Sequence, residues 1–520
     1  MRKIKRLWLM GMLICLVAVF GVVTAQAQLP PEIMVVGSNY NVTTWDPSAA
    51  YSTETIYTPS IYEGLTRTAL PGSEEAVEPL LATDWESSAD GLSWTFYLRE
   101  GVTFHDGDVF NAQAVKTAIE RTMNMGKGAA FIFSPIAEIT VIDDYTVKFN
   151  LSSPMPLDRA LASANGAWIM SPTSAAQPRE WFDAGNAVGT GPYKLASFKD
   201  SEEIILMKFE DYWGGWEGPH LEKIIIKIVM DAVVMQNMLE SGAADLVTRI
   251  PVGNMARVDA GADTDVLTFT SFQSYALHLN TERAPLDNKL VRQAISYAIP
   301  YQDIITVGTE GTGRQAVGPT PYGLSGHDDS LFQYTYDLDK ARALMAQAGY
   351  ADGIDRTLVY TYAAENVNEE AFSPLVKEGL AAIGIDVEIQ PLIFWPTQWK
   401  KATGDAAQRQ DIFALLWWPT FNDPYDSLYA LWHGEEEASW NLSYYDNTEV
   451  DSLMDTAYAT PDTAASLALW SACQEVLIEE APSVYLYDAP HNVPIRTDVK
   501  GYIDNPAYTN AIWFYYMYKE

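Results

Sequence analysis

Two hydrophobic periods alternate along this chain, and together they predict an α/β protein with several sheets. After the turn dipeptide Asp90-Gly91, Trp94, Phe96 and Leu98 alternate with Thr95 and Tyr97, the two-residue repeat of a strand with one buried face. The repeat returns after Asp143-Asp144, where Tyr145, Val147 and Phe149 alternate with Thr146, Lys148 and Asn150. Residues 33–37 form a short apolar run closed by Gly37, and residues 204–207 and 224–229 are apolar and β-branched, so all three segments read as further strands. Other stretches carry the helical period. Leu290, Val291, Ala294, Ile295 and Ala298 share one face in a segment opened by Asp287, whose carboxylate is placed to cap the first turn. Leu338, Ala341, Leu344, Met345 and Ala348 repeat that spacing up to Gly349. Leu375, Leu380 and Ile383 do the same up to Gly384, before a strand over residues 385–389. A further helix is expected over residues 234–246. No internal repeat or low-complexity linker interrupts these elements, which predicts domains built from discontinuous pieces joined by short crossings.

The N-terminus follows a third pattern. Arg2, Lys3, Lys5 and Arg6 precede an apolar run over residues 7–23, and Ala25-Gln26-Ala27 offers small residues at both positions a leader peptidase reads. This is the pattern of a secretory signal peptide cleaved after Ala27. A membrane anchor shares the apolar run, but Gly11 and Gly21 interrupt it and it barely reaches the ~20 residues of a span. Cys15 leaves with the leader, and Leu13-Ile14 before it lack the small residues of a lipid-attachment site.

Cleavage changes the charge balance. The leader holds four of the 33 basic residues and none of the 68 acidic ones, so the exported 493 of 520 residues carry a formal charge of −39. Such a surface repels phosphates and argues against nucleic acid as a partner. Only Cys473 remains, so no intramolecular disulfide can form and the fold rests on its core. With 19% charged and 12% aromatic residues, the composition is that of a packed multidomain protein and not of a disordered chain.

Candidate chemistry is sparse. The six histidines, at 105, 220, 278, 327, 433 and 491, are scattered without the i, i+4 spacing of a helical metal site, so neither metal nor cofactor is expected. No Gly-x-Ser-x-Gly elbow is present, and Cys473 beside Ala472, Val476 and Leu477 reads as a buried, inert thiol. Gly189-Thr190-Gly191-Pro192 has two glycines, but the proline denies it the free amides of a phosphate loop. A pair of catalytic carboxylates about 5–9 Å apart is a three-dimensional condition, which leaves a secreted glycosidase or peptidase as an alternative. The aromatic residues say more. Trp395, Trp399, Trp417, Trp418, Trp432 and Trp440 crowd together with Phe394, Phe421, Tyr425 and Tyr429. The segment 417–424 has loop chemistry, with two prolines and Asn422-Asp423, so Trp417 and Trp418 are expected to point in different directions, one toward a cavity.

Several segments in order resemble the family 5 extracytoplasmic solute-binding proteins, the dipeptide/oligopeptide-binding group of ABC importers. They are Pro79-Leu80-Leu81-Ala82-Thr83-Asp84-Trp85-Glu86, Asp90-Gly91-Leu92-Ser93-Trp94, Gly101-Val102-Thr103-Phe104-His105-Asp106-Gly107, Gly189-Thr190-Gly191-Pro192-Tyr193, Leu277-His278-Leu279-Asn280, Val291-Arg292-Gln293-Ala294-Ile295 and Asn422-Asp423-Pro424. The resemblance spans essentially the whole exported chain. It implies a periplasmic-binding-protein-like fold of two lobes, with mixed sheets, hinge crossings and an extra inserted domain. Carried onto this chain, domain I takes residues 28–72, 188–277 and 490–520, the inserted domain II takes 73–187, and domain III takes 278–489.

In peptide-binding relatives an Asp four positions before the Pro of this last motif meets the ligand amine, and this chain has Thr420 there. A hydroxyl accepts a hydrogen bond but leaves an ammonium charge unneutralised. Either Asp423, three residues along the loop, takes over that role, or the ligand lacks that amine. The resemblance also points to Tyr51, Ser52 and Thr53 after Asp46-Pro47, and to Tyr275 and Tyr485 beside the crossings, as ligand-facing residues along with Trp417 and Trp418. The implied activity is capture of a small peptide or peptide-sized solute for a membrane ABC permease, by a monomeric periplasmic protein, with cell-surface association as the alternative location. An oligosaccharide is the alternative ligand, since tryptophan faces stack on sugar rings.

Overall fold

The computed structural model describes residues 30–520 apart from Ser52, Pro71, Gly72, Glu74, Glu365, Phe394 and Thr509. The leader and its cleavage site therefore lie outside the described residues, as does Ser52.

Two long antiparallel strands, Thr264–Leu279 and Ser483–Arg496, run through the middle of an 11-stranded sheet. Each serves two half-sheets. Residues 264–270 pair with 490–496, and beyond Ser483–Arg496 the sheet continues through Leu246–Val247, Ile33–Ser38, Lys223–Ile228, Glu203–Lys208 and Tyr193–Lys199. At the other end residues 274–278 pair with 483–488, and Thr264–Leu279 takes Ile412–Trp417 as its second neighbour, followed by Leu358–Ala363 and Val387–Leu392. Between the two regimes the register slips, with Ser271, Phe272 and Gln273 set against Ala489 alone. Extra residues in one strand bend and twist it, so the half-sheets change direction at this point. Ser271 Oγ ties the slip together by donating to the Ala489 carbonyl at 2.6 Å.

The first lobe also holds a four-stranded antiparallel sheet in the order Ala82–Ser87, Ser93–Leu98, Thr146–Leu151, Ile136–Asp143. Helix Ala112–Met125 covers it with Ala114, Val115, Ala118 and Ile119, and Asn111 caps that helix by accepting from Ala114 N–H at 3.0 Å. Phe96, Phe104, Phe110, Val147 and Phe149 are fully buried beneath it, in a core continuous with Met34, Val36, Ile224 and Ile226 of the large sheet. The second lobe has its own core, in which Leu277, Leu279, Ile412 and Ala414 meet helices Lys289–Ala298 and Val367–Ala381.

Gly189 and Gly191 fasten the small sheet to the large one. A Cβ on Gly189 would stand 2.0 Å from the Ile61 carbonyl oxygen, so only glycine permits this approach. Gly189 N–H faces His105 Nδ1 at 3.4 Å, and His105 Nε2 lies 2.8 Å from the Gly191 carbonyl. Burial pushes His105 down to about 4, so its ring is a neutral framework piece.

Three sequence expectations need correction. Asn288, not Asp287, caps helix Lys289–Ala298, its Oδ1 accepting from Leu290 N–H at 2.9 Å. The helix expected over 234–246 is Ala232–Glu240. It stops before Gly242, at φ +74°, which frees Leu246–Val247 to pair with Val36 and Gly37, where the apolar pair fills the sheet. The strand expected over 385–389 is Val387–Leu392, placed two residues later by its parallel pairing with Leu358–Ala363. Cys473 is buried on helix Thr463–Glu480, and desolvation pushes its thiol up to about 12. Among the described residues no helix is long and apolar enough to cross a membrane, and no cluster of three or more His, Cys, Asp or Glu could hold a metal.

Candidate ligand cleft

The parallel strands Leu358–Ala363 and Ile412–Trp417 end side by side, and the crevice beyond such carboxyl ends is where α/β sheets place ligands. Here the crevice is a cavity of about 260 Å³ with walls from both lobes. The second lobe supplies an aromatic wall of Trp395, Trp417, Trp418 and Trp440. Trp417 ends its strand, meets Trp440 edge-on at 5.3 Å and is 9% exposed. Trp395 stacks on Trp440 at 6.1 Å, whereas Trp418, on the next pleat, is 40% exposed.

The polar wall comes from a helix start. Asn366 caps helix Val367–Ala381, its Oδ1 accepting from Asn368 and Glu369 N–H at 3.1 and 3.2 Å. Glu369, in the first turn, accepts from Ala363 N–H at 3.0 Å and so locks the strand end to the helix. Both side chains line the cavity.

The first lobe closes the cavity with Tyr51 and Asn165. Tyr51 OH lies 3.3 Å from Thr420 Oγ1, and Ser163 Oγ donates to the Thr420 carbonyl at 2.8 Å. Thr420 is thus both wall and interlobe contact. Its own N–H donates to Asp426 Oδ2 at 2.6 Å. Asp426 is fully buried in the first turn of helix Pro424–Trp432, and desolvation pushes its carboxyl up to about 7.

Of the residues singled out from sequence, Tyr51, Trp417, Trp418 and Thr420 meet at this cavity. The others stand elsewhere. Asp423 caps helix Pro424–Trp432 through Tyr425 N–H at 3.0 Å and pairs with Arg159 of the first lobe at 2.8 Å. It faces a separate interlobe groove of about 270 Å³, shared with Asp158, Arg159, Trp94, Tyr458 and Trp470. Tyr275 is buried behind the wall, donating to Asn366 Oδ1 at 3.3 Å and stacked on Tyr487 at 4.8 Å. Tyr485 packs edge-on against Trp432 at 5.6 Å inside the second-lobe core. Thr53 donates to the Asn41 carbonyl at 2.5 Å and serves the turn it opens.

Asn165, Asn366, Glu369 and Asp426 were missed as site candidates. Asn366 had a readable signal, a capping residue before an apolar helix, but a cap signal does not say that a cavity lies beside it. Trp395 and Trp440 were already in the tryptophan cluster.

A model of bacterial extracellular solute-binding proteins, family 5, matches residues 76–439, more than half of the chain. The chain is a family 5 solute-binding protein. One relative of this solute-binding protein is described as "Probable D,D-dipeptide-binding periplasmic protein DdpA" of Escherichia coli strain K12, 30% identical over 504 residues, covering 95% of this chain and 96% of the relative. Among solved structures, the periplasmic binding protein DppA of Helicobacter pylori in complex with the peptide STSA is similar at TM-score 0.79 and 28% identity, over 94% of this chain and 98% of that one. AgaA of A. tumefaciens R10, in complex with agropinic acid, is similar at TM-score 0.79 and 26% identity, over 94% and 99%. The solute-binding protein accordingly has the two-lobed periplasmic-binding-protein fold with hinge crossings, and its family consists of binding proteins.

Proposed function

We propose that this chain captures a small peptide in the interlobe cavity and delivers it to a membrane ABC permease, without making or breaking bonds. The observation that carries this reading is the cavity itself: about 260 Å³, walled by both lobes and bridged at its rim by Tyr51 and Thr420. That volume lies near the lower bound of ligand pockets, about 300–1,000 Å³, which favours a peptide of two or three residues over a long one. The D,D-dipeptide and STSA binders among its relatives support the same class. Ligand contacts would come from Tyr51, Trp417, Trp418 and Thr420, joined by Asn165, Asn366 and Trp395.

The division that goes with this reading keeps 28–72, 188–277 and 490–520 as domain I, 73–187 as domain II and 278–489 as domain III. The four-stranded sheet falls within the second of these, and the register slip opposite Ala489 supports crossings close to both boundaries of the third. Ligand would stabilise the closed arrangement of the lobes, which the permease reads. The signal pattern and the family support a working place outside the cytoplasm, and the reading has the protein act as a monomer.

Tryptophan fluorescence tests this directly, because four tryptophans line the cavity. A mixed dipeptide and tripeptide pool should shift the emission saturably, and no response at millimolar peptide sinks the peptide reading. The aromatic wall and the neutral Thr420 favour one second reading, a small oligosaccharide, which the same titration with sugars decides.

A further inference from the structure

We propose that Asp426 is a positioning residue for the ligand: from behind Thr420 its carboxylate orients the Thr420 and Tyr51 hydroxyls so that this corner of the cleft accepts a hydrogen bond from a ligand ammonium group. The inference rests on the reading of the cavity as a peptide site.

The geometry begins with an incompletely satisfied charge. Asp426 is 1% exposed, and its Oδ2 accepts from Thr420 N–H at 2.6 Å. Its Oδ1 is buried with no hydrogen-bond partner among the described residues. Buried carboxylates ordinarily meet a cation or a full set of donors, because leaving water uncompensated is costly. Arg159, the cation that reaches this loop, is already paired with Asp423.

On the cavity side Thr420 links Asp426 to Tyr51, its N–H on Asp426 Oδ2 and its Oγ1 3.3 Å from Tyr51 OH. An ionised carboxylate only accepts, so a hydroxyl beside it turns its proton inward. Thr420 Oγ1 then accepts from Tyr51 OH across the 3.3 Å contact. With its proton committed inward, the Tyr51 oxygen presents lone pairs to the cavity it lines. Burial and the Asp426 charge both push the Tyr51 hydroxyl up, so it stays protonated and can fill that role. Hydrogen bonds in such a chain polarise one another, and its open end is an acceptor backed by negative charge. A ligand ammonium fits there better than a neutral donor, because it supplies the positive charge that the buried carboxylate lacks.

The arrangement couples binding to a proton. Asp426 sits near 7 through burial first, with Asp423 adding in the same direction and Thr420 pulling back. The other ionisable neighbours, Tyr51 and Tyr425, are raised and neutral, and Arg159 is held by Asp423. A bound ammonium favours the ionised carboxylate, so it lowers the Asp426 pKa and expels a proton near neutral pH. Affinity for an ammonium ligand therefore rises with pH up to about 7 and levels off above it.

Calorimetric titration of the full exported chain tests this with a free-amine dipeptide taken from the fluorescence screen and with its N-acetyl form, each in buffers of different ionisation enthalpy. The wild-type protein should prefer the free amine by about tenfold or more, the equivalent of one pKa unit, and release part of a proton on binding it. Asp426→Asn should abolish the proton release and lose affinity for the free amine more than for the N-acetyl form. Tyr51→Phe, which removes the terminal acceptor and leaves Asp426 in place, should lose the amine preference as well and covers the case in which the first variant does not fold. Equal wild-type affinity for both forms, or proton release and preference that persist in both variants, overturns the inference. Failure of the wild-type protein to bind any peptide is a different result, which overturns the peptide reading beneath it.

Discussion

Arg159 and Asp423 form an ion pair across the two lobes, 2.8 Å between Nη1 and Oδ2, with side chains 16% and 10% exposed. Opening the cleft separates the partners, so the pair weights the closed arrangement specifically. Arg159→Ala should shift the ligand-free population toward open forms and weaken ligand binding by about 5–150-fold, the span of a 1–3 kcal/mol coupling. X-ray scattering would register the larger radius of gyration. An unchanged radius and affinity would show that the pair does not set the closure.

Trp417 and Trp418 are adjacent but placed differently, and their variants should separate. Trp418 is 40% exposed at the cavity, so Trp418→Ala should leave the unfolding midpoint nearly unchanged and weaken binding by about tenfold, a loss of roughly 1.4 kcal/mol. Trp417 is packed against Trp440 and the second-lobe core, so Trp417→Ala should cost about 3–5 kcal/mol of stability. Denaturant melts beside the peptide titration distinguish the two. Equal destabilisation by both variants would contradict the placement.

The joint at Gly189 can be tested against a glycine constrained by conformation alone. Gly189→Ala drives a Cβ to 2.0 Å from the Ile61 carbonyl, and should cost at least about 3 kcal/mol because backbone on both sides must move. Gly101 has φ +78° with nothing within 4 Å of an added Cβ, so Gly101→Ala should cost only about 1–2 kcal/mol. Similar costs in denaturant melts would mean that the approach to Ile61 relaxes easily.

The sequence disclosed the elements better than the site. Alternation marked the strands around Phe96 and Val147 because one face of each is buried, and the glycines at 349 and 384 marked helix ends because both adopt positive φ. The helix over 232–240 was overextended because apolar residues near 246 serve a sheet partner two hundred residues earlier, which no local period reveals. Tyr51, Trp417, Trp418 and Thr420, singled out by motif order and loop chemistry that lie in the chain itself, come together at one cavity. Asn165 and Asp426 were not singled out, since one owes its position to the approach of the lobes and the other to its place behind a neighbour. Tyr485 shows the converse: a place on a crossing strand does not determine on which face of the sheet a side chain falls, and this one faces the core.

Buried carboxyls should give this protein an unusual pH response. Burial pushes Glu63, Asp426 and Asp488 each up to about 7, and each is desolvated more than its hydrogen bonds offset. A carboxyl whose folded pKa lies above its unfolded one stabilises the fold fully below the unfolded value, and that stabilisation is lost as pH rises through the folded value. These three groups therefore contribute a decline from about pH 4.5 to about pH 7, set against a rise below about pH 6.5 from His105 and His278, which burial keeps neutral. Carboxyls with lowered pKa, such as Asp328 and Glu222, lose their contribution only below that window and do not mask it. Asp488 is the cleanest position to test, since its Oδ2 accepts from Tyr322 N–H at 3.0 Å and an asparagine oxygen can keep that bond. The Asp488→Asn variant removes one declining contribution, so its unfolding free energy minus that of the wild type should rise between about pH 4.5 and about pH 7. A difference that stays flat or falls across that window would refute the assignment, because loss of a desolvated carboxyl can only make it rise.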